Sequence, residues 1–394
     1  MTKKRLIALL AVCSVAAAIL TTLFYISPYG RAVYASIAQR FGASPAAKLM
    51  KIESIVDSLY MGEYDKDRLT NIAAYEYAAA VGDKYTGYLT AEDFKSMQDN
   101  LDGGYRGIGI HVGVREGKVF IDSVMKGSPA EKAGLLGGDF IVSVNGVDYT
   151  GDDLSNVISV IKAVLPGESA ELGIERGGML MNKKVTVGDI ELEYIKSSML
   201  DGNVGFVRID TFGNDVPEKF KSHINALIEK GATSLIIDVR SNPGGSLDAV
   251  VEMVDFLVPE GTITTVKDRD GKEEVYKSDK SEIKLPMCVL INESSASASE
   301  IMAAALSDYD KAILVGKNTY GKGVVQGVFA LGDGTGLRVT IARYYTPAGE
   351  CIDGQGVAPD VEVDLPDGVQ LKEYDATEEG DTQLAKAIDI LKKK

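Results

Sequence analysis

Residues Leu6 to Ser27 form an uncharged, largely apolar run, with Lys3, Lys4 and Arg5 just before it. As a helix these residues extend roughly 33 Å at ~1.5 Å per residue, enough to cross the hydrocarbon core of a bilayer. Basic residues favour the cytoplasmic side, so everything beyond the run is expected outside the cytoplasm. Residues 1–28 therefore read as a cytoplasmic basic end and a signal anchor in the cell membrane. A cleavable signal is the competing reading, because Val33-Tyr34-Ala35 offers small residues to a signal peptidase; the mature protein would then be secreted. The run is longer than a usual signal core, which favours the anchor.

Helical spacing follows in Leu49, Ile52, Val56, Leu59 and Tyr60, and again in Leu69, Ile72, Ala73, Tyr77 and Ala80, with Gly82 placed to stop it. This predicts an N-terminal helical region over 44–102, its apolar positions packed internally or against another subunit of a homo-oligomer. Over 103–190 the pattern shifts to short β-forming runs between glycines: Ile108-Gly109-Ile110, Val119-Phe120-Ile121 and Phe140-Ile141-Val142-Ser143-Val144. A single helix, with Leu154, Val157, Ile158 and Ile161 on one face, interrupts them. Over 191–365 strands and helices alternate. Leu235-Ile236-Ile237-Asp238-Val239 and Met287-Cys288-Val289-Leu290-Ile291 read as buried strands, and the whole predicts an α/β sheet covered by helices. Residues 366–394 form an acidic tail ending in a short helix near Ala385 to Leu391.

Composition narrows the classes. The 394 residues suggest two or three domains, and 45% apolar with 25% charged residues is a globular balance. Forty-two basic against 57 acidic residues leave a net charge of −15, which argues against a nucleic-acid partner and against binding to anionic lipid. Two histidines, His111 and His223, and three scattered cysteines make a histidine-rich metal site or a disulfide scaffold unexpected. No metal and no cofactor is expected.

Three segments offer chemistry. In Asn292-Glu293-Ser294-Ser295-Ala296-Ser297-Ala298-Ser299-Glu300, serines lie between a strand end and a helix start, where first-turn N–H groups stabilise an oxyanion. An ordinary N-cap explains the same residues. Gly316 to Gly323 imitates a phosphate-binding loop. However, Gly323 stands where the magnesium-binding hydroxyl belongs, and Val324, Val325, Val328 and Phe329 favour a strand over the required helix. Lys322 in this glycine-rich setting reads instead as a general base, desolvation drawing its pKa down from ~10.4. The third segment, Arg240-Ser241-Asn242-Pro243-Gly244-Gly245, allows close backbone approach to a ligand, or simply turns a strand into a helix.

Together these segments resemble the carboxyl-terminal processing, or tail-specific, serine peptidases. The resemblance rests on Ser295 to Glu300, on Gly321-Lys322-Gly323 with Gln326, and on Asp238 to Arg240 leading into Asn242-Pro243-Gly244-Gly245. It extends to Thr340 to Gly349 and Gly356-Val357-Ala358-Pro359-Asp360. Residues 103–190 resemble a PDZ domain through Gly107-Ile108-Gly109-Ile110, Gly127-Ser128-Pro129-Ala130 and Ala133-Gly134-Leu135. The resemblance implies a multidomain α/β protein: a crotonase- and ClpP-like peptidase core with a small β cap, an inserted PDZ domain and the N-terminal helical unit.

It further implies Ser297 as nucleophile, Lys322 as general base and Gln326 as the residue that holds the lysine. The N–H groups of Gly244 and Ala298 would form the oxyanion hole. Gly107, Ile108, Gly109 and Ile110 would bind the carboxylate of a protein or peptide substrate with a free C-terminus. Ser295 and Ser299 are rivals for the nucleophile, though Ser297 has the family's spacing to Glu300. Asp238, Arg240 and Glu300 would support the site or form structural charge pairs. Lys84 stands where the family often has proline, and Ser294 where it often has glycine; neither is expected to touch the chemistry. The implied activity is extracytoplasmic endoproteolysis, in C-terminal processing or proteolytic signalling. Two other readings stand beside it: a membrane-tethered PDZ adaptor without activity, and a Ser-His-Asp peptidase using His223.

Overall fold

A computed structural model describes residues 44–102, 104–149, 154–366, 369 and 380–393. The proposed membrane anchor lies outside the described residues. Among the described residues no helix is long and apolar enough to cross a membrane.

Helix α1 (Pro45–Leu59) starts at Ser44, whose hydroxyl accepts from Ala47 N–H at 3.1 Å. It buries none of its residues, leaving Leu49, Met50, Ile52, Ile55 and Leu59 exposed. Helix α2 (Lys66–Ala79) follows. The helical region expected over 44–102 also holds one short strand. Gly87–Leu89 forms strand β1, which pairs antiparallel with a strand some 250 residues later, before α3 (Ala91–Leu101) resumes the helical pattern. Alternation around the buried Tyr88 suits a strand edge.

The next module is a sheet of β3 (Ile110–Arg115), β4 (Lys118–Val124), β5 (Phe140–Val144), β7 (Ser169–Arg176) and β8 (Met179–Thr186). Short α4 (Pro129–Lys132) and α5 (Leu154–Ala163) cover it, and β6 (Val147–Asp148) extends β5. Its core is its own, built on Val119, Ile121, Ile141, Leu172 and Val185 against Val157 and Ile161 of α5. The chain enters through β2 (Gly104–Gly107) and leaves through β9 (Gly188–Glu191). These two strands pair antiparallel as a ribbon.

The main sheet runs β10 (Ile195–Leu200), β11 (Val204–Ile209), β12 (Ser234–Asp238), β15 (Met287–Ile291), β16 (Ala312–Gly316), β19 (Val361–Glu362). All pairs except β10–β11 are parallel. Every residue of β11, β12 and β15 is buried, as parallel strands covered on both faces require. One face packs against α6 (Val216–Glu229), α7 (Leu247–Asp255) and α8 (Ala298–Asp308). The other face is covered by α9 (Thr382–Leu391) through Leu384, Ala387 and Leu391. The end of the acidic tail is thus a structural layer. The remaining strands β13 (Gly261–Asp268), β14 (Glu273–Ser278), β17 (Val324–Ala330) and β18 (Gly336–Tyr345) join β1 in a separate five-stranded sheet, the expected cap.

Candidate active site

The site is assembled where β12 and β15 end. Asn242, fully buried in the turn after β12, ties the pieces together. Its side-chain amide donates to Ile209 O at 2.9 Å, while its carbonyl accepts from Ala296 N–H at 3.0 Å and Ser299 Oγ at 2.9 Å. Gly244 then backs onto the serine loop with φ +109°. A Cβ there would stand 2.8 Å from Ser297 Cβ and 3.1 Å from Ala298 N, so only glycine fits.

The three candidate serines divide cleanly. Ser295 is fully buried and its hydroxyl donates to Val239 O at 2.8 Å; Ser299 is equally buried and spends its hydroxyl on Asn242 O. Ser297, at the mouth of α8, is partly exposed. Its backbone lies in the left-handed region at φ +56°, which costs a non-glycine residue about 1–3 kcal/mol unless its surroundings hold it there. Glu300, one turn into α8, supplies that hold. Its fully buried carboxylate accepts from Ser297 N–H at 2.8 Å and Lys322 N–H at 2.9 Å on one oxygen. The other oxygen takes Gly321 N–H at 2.7 Å and Thr319 Oγ1 at 2.5 Å. Ser297 N and Lys322 N, bound to one atom, are therefore no more than 5.7 Å apart. A second strap is Tyr344 of β18, whose hydroxyl reaches Lys322 O and lies 3.2 Å from Ser297 O. Burial holds its phenol well above its ordinary pKa, so it stays a donor.

Lys322 is half-buried, in the loop that enters β17. Burial, with the positive charges of Arg338 and Lys84, pulls its amine below the ordinary lysine pKa; Glu300 opposes them. Its Nζ stands 5.1 Å from the centroid of the Tyr85 ring. Lys84 Nζ, expected to stay clear of the chemistry, lies 4.7 Å from the same centroid. The chain before β1 folds back beside the lysine loop, which spacing along the sequence does not reveal.

Two implied contacts differ in this structure. Gln326 donates its amide to Val324 O at 3.4 Å, and no hydrogen bond joins it to Lys322. The register of β17 against β18 shifts between Val325 and Gln326, an irregularity of the kind that alters side-chain direction. Gly244 N–H donates to Asn242 Oδ1 at 2.9 Å, whereas Ala298 N–H is a first-turn donor with no intrahelical partner.

Asp238 and Arg240 form a buried ion cluster beside the turn. The Arg240 guanidinium binds Asp238 at 2.9 and 2.8 Å, Asp381 at 3.1 and 2.9 Å and Gln383 Oε1 at 3.0 Å, tying α9 to β12. Burial works against its charge, but Asp238 and Asp381 outweigh that and hold its pKa above the ordinary value. Asp381, which sequence reasoning missed, also caps α9 by accepting from Leu384 N–H at 2.9 Å, and no local pattern pairs it with Arg240.

Both histidines stand apart from these bonds: His111 is on β3, and His223 Nδ1 lies 2.6 Å from Ser197 Oγ. In the β2–β9 module, a groove of about 590 Å³ runs between β3 and α5. It is lined by Arg106, Gly107, Ile108, Gly109, Ile110, Val157, Ile161 and Lys162, and by Leu192, Tyr194 and Thr211 of the main-sheet region. Ile108 and Gly109 carbonyls are taken by Ala130 N–H at 2.9 Å and Met125 N–H at 3.0 Å, which fixes the loop. Thr211 also donates its hydroxyl to Gly244 O at 2.9 Å, so the groove wall touches the glycine turn.

The profile of peptidase family S41 matches residues 203–363. The PDZ domain profile matches residues 120–176. The carboxy-terminal processing protease CtpA of Bacillus subtilis is 33% identical over 338 residues, spanning 85% of this chain and 72% of that protein. The chain belongs to peptidase family S41. A second Bacillus subtilis relative, the carboxy-terminal processing protease CtpB, is 33% identical over 338 residues, spanning 83% of this chain and 70% of its own length. A solved chain from Bacteroides fragilis, assigned to the same family, is alike in fold: TM-score 0.52 at 18% identity, over 85% of this chain and 93% of that one. This S41 protein is thus a serine protease of the carboxy-terminal processing group, carrying a PDZ domain within a multidomain α/β fold.

Proposed function

We propose that the protein is an endopeptidase acting outside the cytoplasm, which takes the exposed C-terminus of a protein substrate in its PDZ groove and cleaves upstream through a Ser297–Lys322 dyad. The observation that carries the dyad is the single Glu300 oxygen holding both Ser297 N–H and Lys322 N–H. Neutral Lys322 takes the Ser297 proton as Oγ attacks the scissile carbonyl carbon. The resulting oxyanion sits against Ala298 N–H, joined by Gly244 N–H once that donor leaves Asn242. Collapse breaks the C–N bond, the leaving amine takes its proton from Lys322, and water activated by Lys322 hydrolyses the ester. Gln326, on leaving its contact with Val324 O, would steady the lysine.

At the other end, the backbone of Gly107 to Ile110 receives the substrate carboxylate, Arg106 and Lys162 add positive charge, and the peptide lies along β3. The N-terminal segment tethers the enzyme to the cell membrane, and the exposed apolar face of α1 suits pairing with a second copy.

A serine-reactive phosphonate followed by peptide mapping tests the nucleophile. The adduct is expected on Ser297, forming faster as pH rises and Lys322 loses its proton. Labelling of Ser295 or Ser299, or none anywhere, would overturn the assignment. Amidating the C-terminus of a peptide substrate is expected to raise KM about 10- to 100-fold with a smaller effect on kcat, since the charge-assisted bonds lost are worth about 1.5–3 kcal/mol. Equal kinetics for acid and amide would remove the PDZ groove from recognition.

A further inference from the structure

Two ammonium groups share one aromatic ring beside the reaction centre. Lys84 Nζ lies 4.7 Å and Lys322 Nζ 5.1 Å from the Tyr85 centroid, so the cations are no more than 9.8 Å apart, the sum of those distances. Lys84 Nζ is also 5.0 Å from the ring of Tyr320, two residues before Lys322, which keeps its charge facing the lysine loop. The segment bearing Lys84 and Tyr85 is itself fixed. The Asp83 carboxylate accepts from Tyr85 N–H at 3.3 Å and Thr86 N–H at 3.0 Å, and from the hydroxyls of Thr86 and Thr340 at 2.6 Å each.

We propose that Lys84 and Tyr85 are positioning residues for the general base: the Tyr85 ring sets where Lys322 Nζ rests, and Lys84 supplies the like charge that favours the neutral amine. The proposal rests on the reading of Lys322 as base. The charged and titratable groups that face Lys322 come from three elements. They are Arg338 and Tyr344 on β18, Glu300 on α8, and Lys84 and Tyr85 ahead of β1. Burial, then Arg338 and Lys84, draw the amine below its ordinary pKa, while Glu300 restores the proton. An aromatic face also favours the ammonium, so the ring and Lys84 act with opposite sign on protonation.

The test is the pH profile of kcat/KM for the full chain, on an unstructured peptide with a free C-terminus. Activity climbs along an acidic limb as Lys322 loses its proton. Two ammonium charges roughly 10 Å apart, partly screened, imply that Lys84→Ala moves this limb up by about half a pH unit and Lys84→Glu by about one. Below the limb the rate then falls about three- and tenfold respectively, a difference that shrinks in high salt. Lys84→Arg and Tyr85→Phe, which keep the charge and the ring face, leave the limb in place. A residue that merely supported the fold would alter stability or KM without moving the limb. An unmoved limb in Lys84→Glu, with Lys322→Ala inactive, overturns this proposal and leaves the dyad standing. Full activity in Lys322→Ala overturns the dyad and this inference with it.

Discussion

Ser297→Ala and Lys322→Ala are each expected to lower kcat for peptide cleavage by about 10⁴- to 10⁶-fold with little change in KM, and the double variant to be no worse than either alone. In the proposed dyad one residue attacks and the other moves its proton, so losing either stops the same step. Neither change should unfold the protein. Ser297 is partly exposed and sits in strained backbone, and Lys322 is a half-buried amine whose charge burial already disfavours. Chromatographic assay of peptide fragments, with circular dichroism as the folding control, checks both points. Cleavage surviving both changes but lost in His223→Ala would make this a conventional triad. A wild-type protein that binds the peptide and never cuts it would be an adaptor.

Glu300→Gln is the second large effect. The carboxylate accepts from four donors inside the protein, two on each oxygen. The amide would present its own N–H groups to two of those donors. Leaving them unsatisfied in a buried site is expected to cost about 3–5 kcal/mol, read from urea unfolding. Cleavage should fall by at least about a hundredfold even where the protein remains folded, because the loops that carry Ser297 and Lys322 lose their common anchor. Stability close to wild type would mean that the turn is held by other contacts, with Tyr344 the first to examine.

What the sequence discloses depends on how local the chemistry is. Ser297 and Lys322 are singled out by resemblance to short family motifs, Ser297 by its spacing to Glu300 and Lys322 by its flanking glycines, whereas the residues alone fit an N-cap and a surface lysine equally. The alternating strands and helices of 191–365 are legible because parallel strands buried on both faces leave continuous apolar runs. Long-range contacts left no such trace. One partner of Arg240 is Asp381, 141 residues away, and nothing in either neighbourhood announces the other. Lys84 looks like an incidental departure until β1 pairs with β18 and its segment lies beside Lys322. The hydrogen bond expected of Gln326 is absent where the β17–β18 register shifts between Val325 and Gln326, an irregularity with no sequence signal.

The ribbon of β2 against β9 has a consequence of another kind. Because Gly104 and Glu191 are cross-strand neighbours, both passages of the chain cross at one place. The gene could be cut at those two points and a foreign domain grafted in without re-registering any strand beneath Ser297. Such an exchange would still have to suit Leu192, Tyr194 and Thr211, which belong to the recipient and not to the graft.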